Sequence, residues 1–413
     1  MNLQYFFEEQ DKLLNKTSLS LKRYLFGKID LNLKCTAILG QRGVGKTTLM
    51  LQIIKSKYNN NKALYISIDS PFFQSISLYE FAKEFEQMAG EVLFIDEVHK
   101  YPNWASHIKE IYDKLDLKVI FSGSSILKIS KQNADLSRRA VVYNLENLSF
   151  REYLLFNKVA NFDPLSLEEI LEHHQKYANE ISQQIKPLKH FKEYLKTGAY
   201  PFFLEDKSIY HKKIVQILNI ILESDLPYIN QIEVAQISKL KKLLYLLAIS
   251  VPFVPNITDL SQSTNISRPK IYEYLQYLED AKIINSIRSK DKGYSIMSKP
   301  QKLFMQNSNI SYAITQSPNI GALRETFFVN QIKNYYSNSN SFLDEHIYSA
   351  KKGDFLVDNK YIFEIGGKNK GFEQIKDLPN SFVAADDIEI GFGNKIPLWL
   401  FGFLYWVCKK LYI

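Results

Sequence analysis

The segment GQRGVGKT, Gly40 to Thr47, constrains this chain more than any other, because it follows a short apolar β-rich run, CTAIL, and precedes a helical run that begins near Lys46. Glycines at 40, 43 and 45 let the backbone curl until successive N–H groups point inward, and the helix N-terminus adds positive potential. The pattern is that of a phosphate-binding P-loop in the strand and helix context it requires. The expected nucleotide-binding residues are Gly40, Gln41, Arg42, Gly43, Val44, Gly45, Lys46, Thr47 and Thr48. Lys46 would reach the β- and γ-phosphates, and Thr47 would place its hydroxyl on Mg²⁺.

About fifty residues on, VLFIDE ends an apolar run in adjacent acids. Asp96 at the strand tip would hold magnesium, and Glu97 would orient and deprotonate the attacking water. Five β-rich runs, CTAIL, ALYISI, EVLFID, KVIFSG and AVVYNL, alternate with helical periodicity between Lys34 and Leu145, which predicts a parallel sheet covered by helices. Trp104, Ile108, Ile111, Tyr112 and Leu115 recur at helical spacing and give one apolar face to pack on that sheet. The ALYISI run lies between the two acid-and-loop motifs, the order of an ATPase branch with an extra intervening strand.

Two further features bear on catalysis. Ser122, Ser124 and Ser125 in VIFSGSS stand where a polar residue can sense the γ-phosphate, with Ser124 the favoured one. Arg138 and Arg139 precede the last core strand, where an arginine can act as a finger on nucleotide held by a neighbouring copy in a homo-oligomer. An ordinary surface pair is the alternative, and both stay open here.

Beyond Ser149 the pattern turns helical and polar. His173 and His174 have no carboxylate or cysteine at ligand spacing and read as solvated helix surface. Three helical runs, LKKLLYLLAIS, ITDLSQSTN and SRPKIYEYLQYLEDAKII, then lead into a polar hairpin around Lys292 and Gly293, a winged-helix arrangement. Ser267 is its expected N-cap, Pro269 sits in the first turn, and Ile271, Tyr274, Leu275 and Leu278 form the core face. Arg268 and Lys270 would lie near the end that such a helix presents to DNA. After Ser308 the chain becomes α/β again, with a helix through ALRETFFVNQIKNYY and strands in GDFLV and KYIFEI.

Composition narrows the setting. With 413 residues and 46% hydrophobic content the chain is expected to fold throughout, in more than one domain. Its net charge of +8 permits an acidic partner, although lysine supplies most of it and only eight of the 52 basic residues are arginine. Cys35 and Cys408 are the two cysteines, with no CxxC, so a disulfide framework or thiolate metal site is not supported and a reducing, cytoplasmic compartment fits. The N-terminal stretch lacks the basic and apolar runs of an export signal. Ile396 to Cys408 is apolar but too short to span a bilayer, and a buried terminal element is expected.

Taken in order, GQRGVGKTTLM, LFIDEVHKYPNW, IFSGSS, NLSFREYL, LKTGAYPFF and GDFLVDNKYIFEIGGKNK resemble the bacterial and archaeal AAA-type ATPases whose C-terminal half is a winged helix plus a nuclease-like domain of unknown function. The resemblance spans nearly the whole chain. It implies an α/β P-loop core of the AAA+ or RecA-like kind over 1–150, a helical segment over 151–235, a winged helix over 236–307 and a PD-(D/E)XK restriction-endonuclease-like domain over 308–413. It implies ATP with Mg²⁺ as cofactors, and Arg139 as the finger, although Arg138-Arg139 stands where the family has Gly-Arg. For the last domain it implies a metal held by Glu325, Asp354 and Glu364. The lysine due two residues after Glu364 is Gly366, so cleavage is expected to be lost or nearly lost. Lys368 would have to swing back to replace it, with Gln374 as an added polar contact. Three functions compete: an ATP-driven switch or motor acting on DNA, a regulator that binds a protein partner, and an ATP-regulated nuclease. No membrane partner is expected.

Overall fold

A computed structural model of the protein describes residues 3–58, 61–125, 136, 138–250, 254–290, 300–339 and 345–404. The chain divides into two compact units, Met1–Glu146 and Asn147–Ile413. The helical, winged-helix and nuclease-like segments expected after residue 150 all lie within the second.

In the first unit, β1 (Cys35–Leu39), β2 (Ala63–Ser67), β3 (Val92–Asp96), β4 (Lys118–Gly123) and β5 (Val141–Asn144) make one sheet in the order β2-β3-β4-β1-β5. Every pairing is parallel. Strands β1 and β3 are buried at every position, the burial pattern of strands covered on both faces, which is why they read as unbroken apolar runs. Helix Trp104–Lys114 buries Trp104, Ile108 and Ile111 as its spacing predicts. The sequence signal missed helix Leu3–Lys16, whose Phe6 and Phe7 enter the core. Its Gln10 accepts from the Tyr65 N–H at 2.6 Å and donates to the Ala63 carbonyl at 3.2 Å. Those are backbone groups of the edge strand β2, so a side-chain amide takes the place of a further strand and blunts that edge.

The second unit opens with helices Phe150–Phe156 and Leu167–Ser182, each started by a capping box, Ser149 with Glu152 and Ser166 with Glu169. Further on stand the three predicted helices, Val234–Ile249, Ile257–Thr264 and Arg268–Asp280, followed by the antiparallel pair β6 (Ile284–Ile287) and β7 (Lys302–Met305). Ile271, Tyr274, Leu275 and Leu278 are buried, and Ser267 is at the N-cap position but makes no side-chain capping bond. The hairpin tip at Lys292 and Gly293 lies outside the described residues.

Helix Ile320–Tyr336 precedes a second five-stranded sheet of β8 (Ile347–Ser349), β9 (Phe355–Val357), β10 (Tyr361–Gly366), β11 (Ser381–Ala385) and β12 (Lys395–Pro397). Its order is β12-β11-β10-β9-β8, antiparallel from β8 to β10 and parallel from β10 to β12. The 3₁₀ turn Leu398–Phe403 is buried throughout, as expected of an apolar terminal element, and Cys408 lies outside the described residues.

One reading is corrected. His174 is 4% exposed, and its Nε2 meets the Gly393 carbonyl at 2.9 Å, so it is not solvated surface. The helix kinks at His173, with φ −129°, and thereby turns the next side chain inward. Burial lowers the His174 pKa, partly countered by that carbonyl.

Candidate active site

The P-loop follows β1 directly, and its glycines do what the pattern requires. Gly43 and Gly45 have φ of 84° and 97°, left-handed values that side-chain-bearing residues adopt only with strain. Gly40 is required for a different reason. A Cβ there would lie 2.4 Å from the Leu145 carbonyl oxygen, a backbone atom that cannot swing aside. Lys46, 6% exposed, donates to the carbonyls of Gly40 and Gln41 at 3.0 and 3.3 Å, folding its ammonium back over the loop.

Asp96 is the hub. Its Oδ2 accepts from the Thr47 hydroxyl at 2.6 Å and from the Tyr65 hydroxyl at 2.8 Å, and its Oδ1 accepts from Ser122 and, at 3.1 Å, from the Glu97 N–H. Ser122 also accepts from the Glu97 N–H at 3.2 Å. Among the β4 serines, then, Ser122 engages the acid pair, whereas Ser124, the favoured sensor, stands one residue past the strand end in a half-buried position. Strand alternation explains the choice: Ser122 is within β4 and faces β3, and Gly123 ends the strand before Ser124 can share that face.

Glu97 adopts φ 56°, an uncommon value for a residue with a side chain, and this turns its carboxylate away from the strand direction. Three cations and an imidazole surround it: Arg42 at 3.6 Å, His99 at 3.7 Å, Lys100 at 3.9 Å and Lys46 at 4.0 Å. Burial pushes its pKa up, but Lys46, His99, Arg42 and Lys100 together outweigh burial and hold it below the usual carboxylate range. The Tyr65 hydroxyl is pushed well up by burial and by Asp96, so it stays a hydrogen-bond donor.

Sequence reasoning missed Tyr65 and also Arg23. Arg23 is 5% exposed and donates to the Val44 carbonyl inside the loop and, at 2.6 Å, to the Glu146 carbonyl. Tyr24 beside it donates to the Asn144 carbonyl and accepts from the Glu146 N–H at 3.2 Å. The only sequence hint was the scarcity of arginine. Of the arginine pair, Arg138 is exposed, while Arg139 binds Asp113 through two parallel hydrogen bonds of 2.9 and 3.0 Å.

A second cluster of charged groups lies in the second unit. Glu325 on helix Ile320–Tyr336, Asp354 before β9 and Glu364 on β10 occupy the elements expected of them. Lys302 of β7 donates to Glu325 and to Asp354 at 3.0 Å each. Lys370 meets Glu364 at 2.5 Å. Lys368, the expected replacement lysine, lines a cleft of about 610 Å³ with Lys370, Arg324, Gly367 and Asp387. Gly366 explains the difference, since a Cβ there would lie 2.6 Å from the Lys370 stem, and its absence lets Lys370 cross the strand. Gln374 is exposed. Burial raises the Glu325 pKa, a rise that Lys302 opposes. Among the described residues no group of three or more His, Cys, Asp or Glu is arranged to hold a metal ion.

Residues 32–154 match the family model of an AAA domain, and residues 188–320 match a domain of unknown function. Two relatives come from Methanocaldococcus jannaschii. The uncharacterized protein MJ1637 is 28% identical over 386 residues, covering 86% of this chain and 80% of its own, and the uncharacterized protein MJ1544 is 26% identical over 357 residues, covering 83% and 74%.

Solved structures with partial likeness include C. elegans PCH-2, at 20% identity over 38% of this chain and 46% of its own with a TM-score of 0.23. The S. cerevisiae Hsp104–ADP complex is 17% identical over 66% and 39% with a TM-score of 0.28. Katanin, from a study of its self-assembly, is 16% identical over 38% and 58% with a TM-score of 0.23. This chain therefore spans less than two thirds of each of those three, and at such scores they add no weight to the assignment. Among the described residues no helix is long and apolar enough to cross a membrane.

Proposed function

We propose that the first unit binds ATP with magnesium and hydrolyses it, and that its nucleotide state acts through the second unit, with DNA as the candidate target. The observation that carries the ATPase reading is the meeting of Thr47 and Asp96 at 2.6 Å beside the loop. One is a neutral hydroxyl and the other a carboxylate, both oxygen donors of the kind magnesium selects, so the residues present fit the ion. Bound there with nucleotide, magnesium would neutralise phosphate charge.

The chain's own groups supply the rest. Backbone N–H groups from Gly43 to Thr48 cradle the phosphates, and Lys46 exchanges its bonds to the Gly40 and Gln41 carbonyls for phosphate oxygens. Glu97, kept ionised by Lys46 and the basic groups beside it, orients water and takes its proton. Tyr65 and Ser122 fix the Asp96 carboxylate, so that its orientation does not have to be won when nucleotide arrives.

Support for DNA is the exposed Arg268 at the start of helix Arg268–Asp280, whereas Lys270 is paired with Glu273 at 2.8 Å. The test is phosphate release by the full chain with no DNA, with single strands and with duplex, across a salt series. Stimulation that falls steeply with salt is expected for phosphate contacts. Salt-independent turnover, equal in all three, would instead favour a protein partner. Lys46→Ala should lose ATP binding in calorimetry while remaining folded, and unchanged affinity would remove the nucleotide-site reading altogether.

A further inference from the structure

The likeness of the last segment to metal-dependent nucleases implies a divalent ion among Glu325, Asp354 and Glu364, and the side chains do not fit one. We propose that Lys302 is a built-in cation standing in the metal's place, so that this cluster is a closed ion-pair centre that takes up no divalent metal.

Lys302 arrives on a strand. It is the first residue of β7, and strand alternation puts Lys302 and Phe304 on one face. Both meet Phe355, the residue after Asp354: the Lys302 ammonium lies 4.8 Å from the ring centroid and the Phe304 ring 5.9 Å. Phe328, one turn along the helix from Glu325, stacks on the same ring at 5.7 Å. Packing around Phe355 therefore delivers the ammonium to the two carboxylates by rigid elements, and no loop has to be ordered to bring it there.

Each of the three carboxylates is already engaged, although the buried Glu364 Oε2 has no hydrogen-bond partner. Asp354 uses Oδ2 to accept the Ile365 N–H at 2.9 Å and Oδ1 to accept from Lys302 at 3.0 Å. Glu325 gives an oxygen to the same ammonium at 3.0 Å. Glu364 gives Oε1 to Lys370, which reaches it only because position 366 is glycine. Mg²⁺ requires oxygen ligands at about 2.0–2.1 Å in near-octahedral order, and an ammonium already placed between the carboxylates cannot coexist with it. Two lysines against three carboxylates reduce the formal charge of the cluster from −3 to −1, so the attraction that would draw a divalent ion is weakened as well. The turn carrying Lys370 is itself held, because Lys395 donates to the carbonyls of Lys368 and Lys370 at 2.6 and 2.9 Å.

The experiment uses the full chain carrying Asp96→Asn, which removes the first unit's carboxylate from the comparison, and Mn²⁺ as the probe. Calorimetry and the electron paramagnetic resonance of free Mn²⁺ should show no saturable binding up to about 1 mM, a range in which weak carboxylate sites fill. Adding Lys302→Met should lower Tm by roughly 5–10 °C, because two carboxylates lose their shared counter-charge. Mn²⁺ should then restore part of the loss, and further addition of Asp354→Asn should abolish that rescue. Lys302→Arg should keep the parent's indifference to Mn²⁺. The proposal is overturned by Mn²⁺ binding with Lys302 intact that disappears on Asp354→Asn or Glu364→Gln. It is equally overturned if Lys302→Met changes neither Tm nor metal binding. The first of these needs no change at position 302, so a Lys302→Met protein that fails to fold leaves the decision with it.

Discussion

The Thr47 hydroxyl and the Asp96 carboxylate, 49 residues apart in sequence, stand 2.6 Å apart in the fold. The strand carrying Asp96 is not the neighbour of the strand that feeds the loop, since β4 lies between β3 and β1. The loop's following helix therefore has to start above the β3 tip for these two to touch. With Tyr65 and Ser122 on the same carboxylate, the oxygen groups are held together by the chain's own hydrogen bonds.

Glu97→Gln tests the base. Hydrolysis should fall roughly 10²–10⁴-fold with ATP affinity retained, as expected when general-base action is removed. The same variant has a signature in stability. Because the folded Glu97 pKa lies below its ordinary value of 4.5, the carboxylate contributes stability that is fully present above that value and is lost as pH falls through the lowered one. Urea midpoints of the parent should drop over that acid range more than those of Glu97→Gln. Equal slopes would mean that the surrounding basic groups do not favour the ionised form.

Gly40→Ala should destabilise the first unit by roughly 1–3 kcal/mol, the range for overpacking against atoms that cannot move. The clash is with the Leu145 carbonyl at 2.4 Å, whereas Gly27 has nothing within 4 Å of a built Cβ and serves as the control. Denaturation midpoints for Gly27→Ala and Gly40→Ala should differ clearly, and equal midpoints would show that the loop relaxes around the added methyl group.

Arg139 is held by Asp113 in its own chain, so finger action on a neighbour requires that pair to open. Mixing Arg139→Ala with Lys46→Ala should restore some hydrolysis at a composite site if the finger acts between copies. A monomer with ATP, hydrolysing at a specific rate independent of concentration, would reduce Arg139 to a surface ion pair.

The second unit should not cut nucleic acid. Incubation of the full chain with Mg²⁺ or Mn²⁺, ATP, and several DNA and RNA forms is expected to leave them intact. Cleavage by the parent that vanishes in both Asp354→Ala and Glu364→Ala would reverse this expectation and make Lys370, rather than Lys368, the lysine to examine next.

The loop and the acid pair were legible because their signals are local: glycines, lysine and threonine stand within eight residues, and strands buried on both faces announce themselves as apolar runs. The residues that were missed act at long range. Arg23 reaches a carbonyl 123 residues away, and Lys302 reaches carboxylates 23 and 52 residues away, with no pattern in the intervening chain to mark them. His174 misled for the opposite reason. Its neighbours look solvated, and its burial depends on a single helical kink and on the turn around Gly391 and Gly393. Lys370 could be found only by asking what a glycine makes room for.

Arg23 also fixes what a clock would record. One guanidinium holds the Val44 carbonyl in the loop and the Glu146 carbonyl at the last residue of the first unit, while the Leu145 N–H is tied to Leu39 at 2.7 Å. Among the described residues these bonds join the loop directly to residues 144–146, so the nucleotide binding proposed above would be felt there without waiting for a segment to search. Hydrogen exchange of the Leu145 and Glu146 amides should accordingly change on the same timescale as nucleotide binding itself. A lag between the two would mean that the message travels by another route.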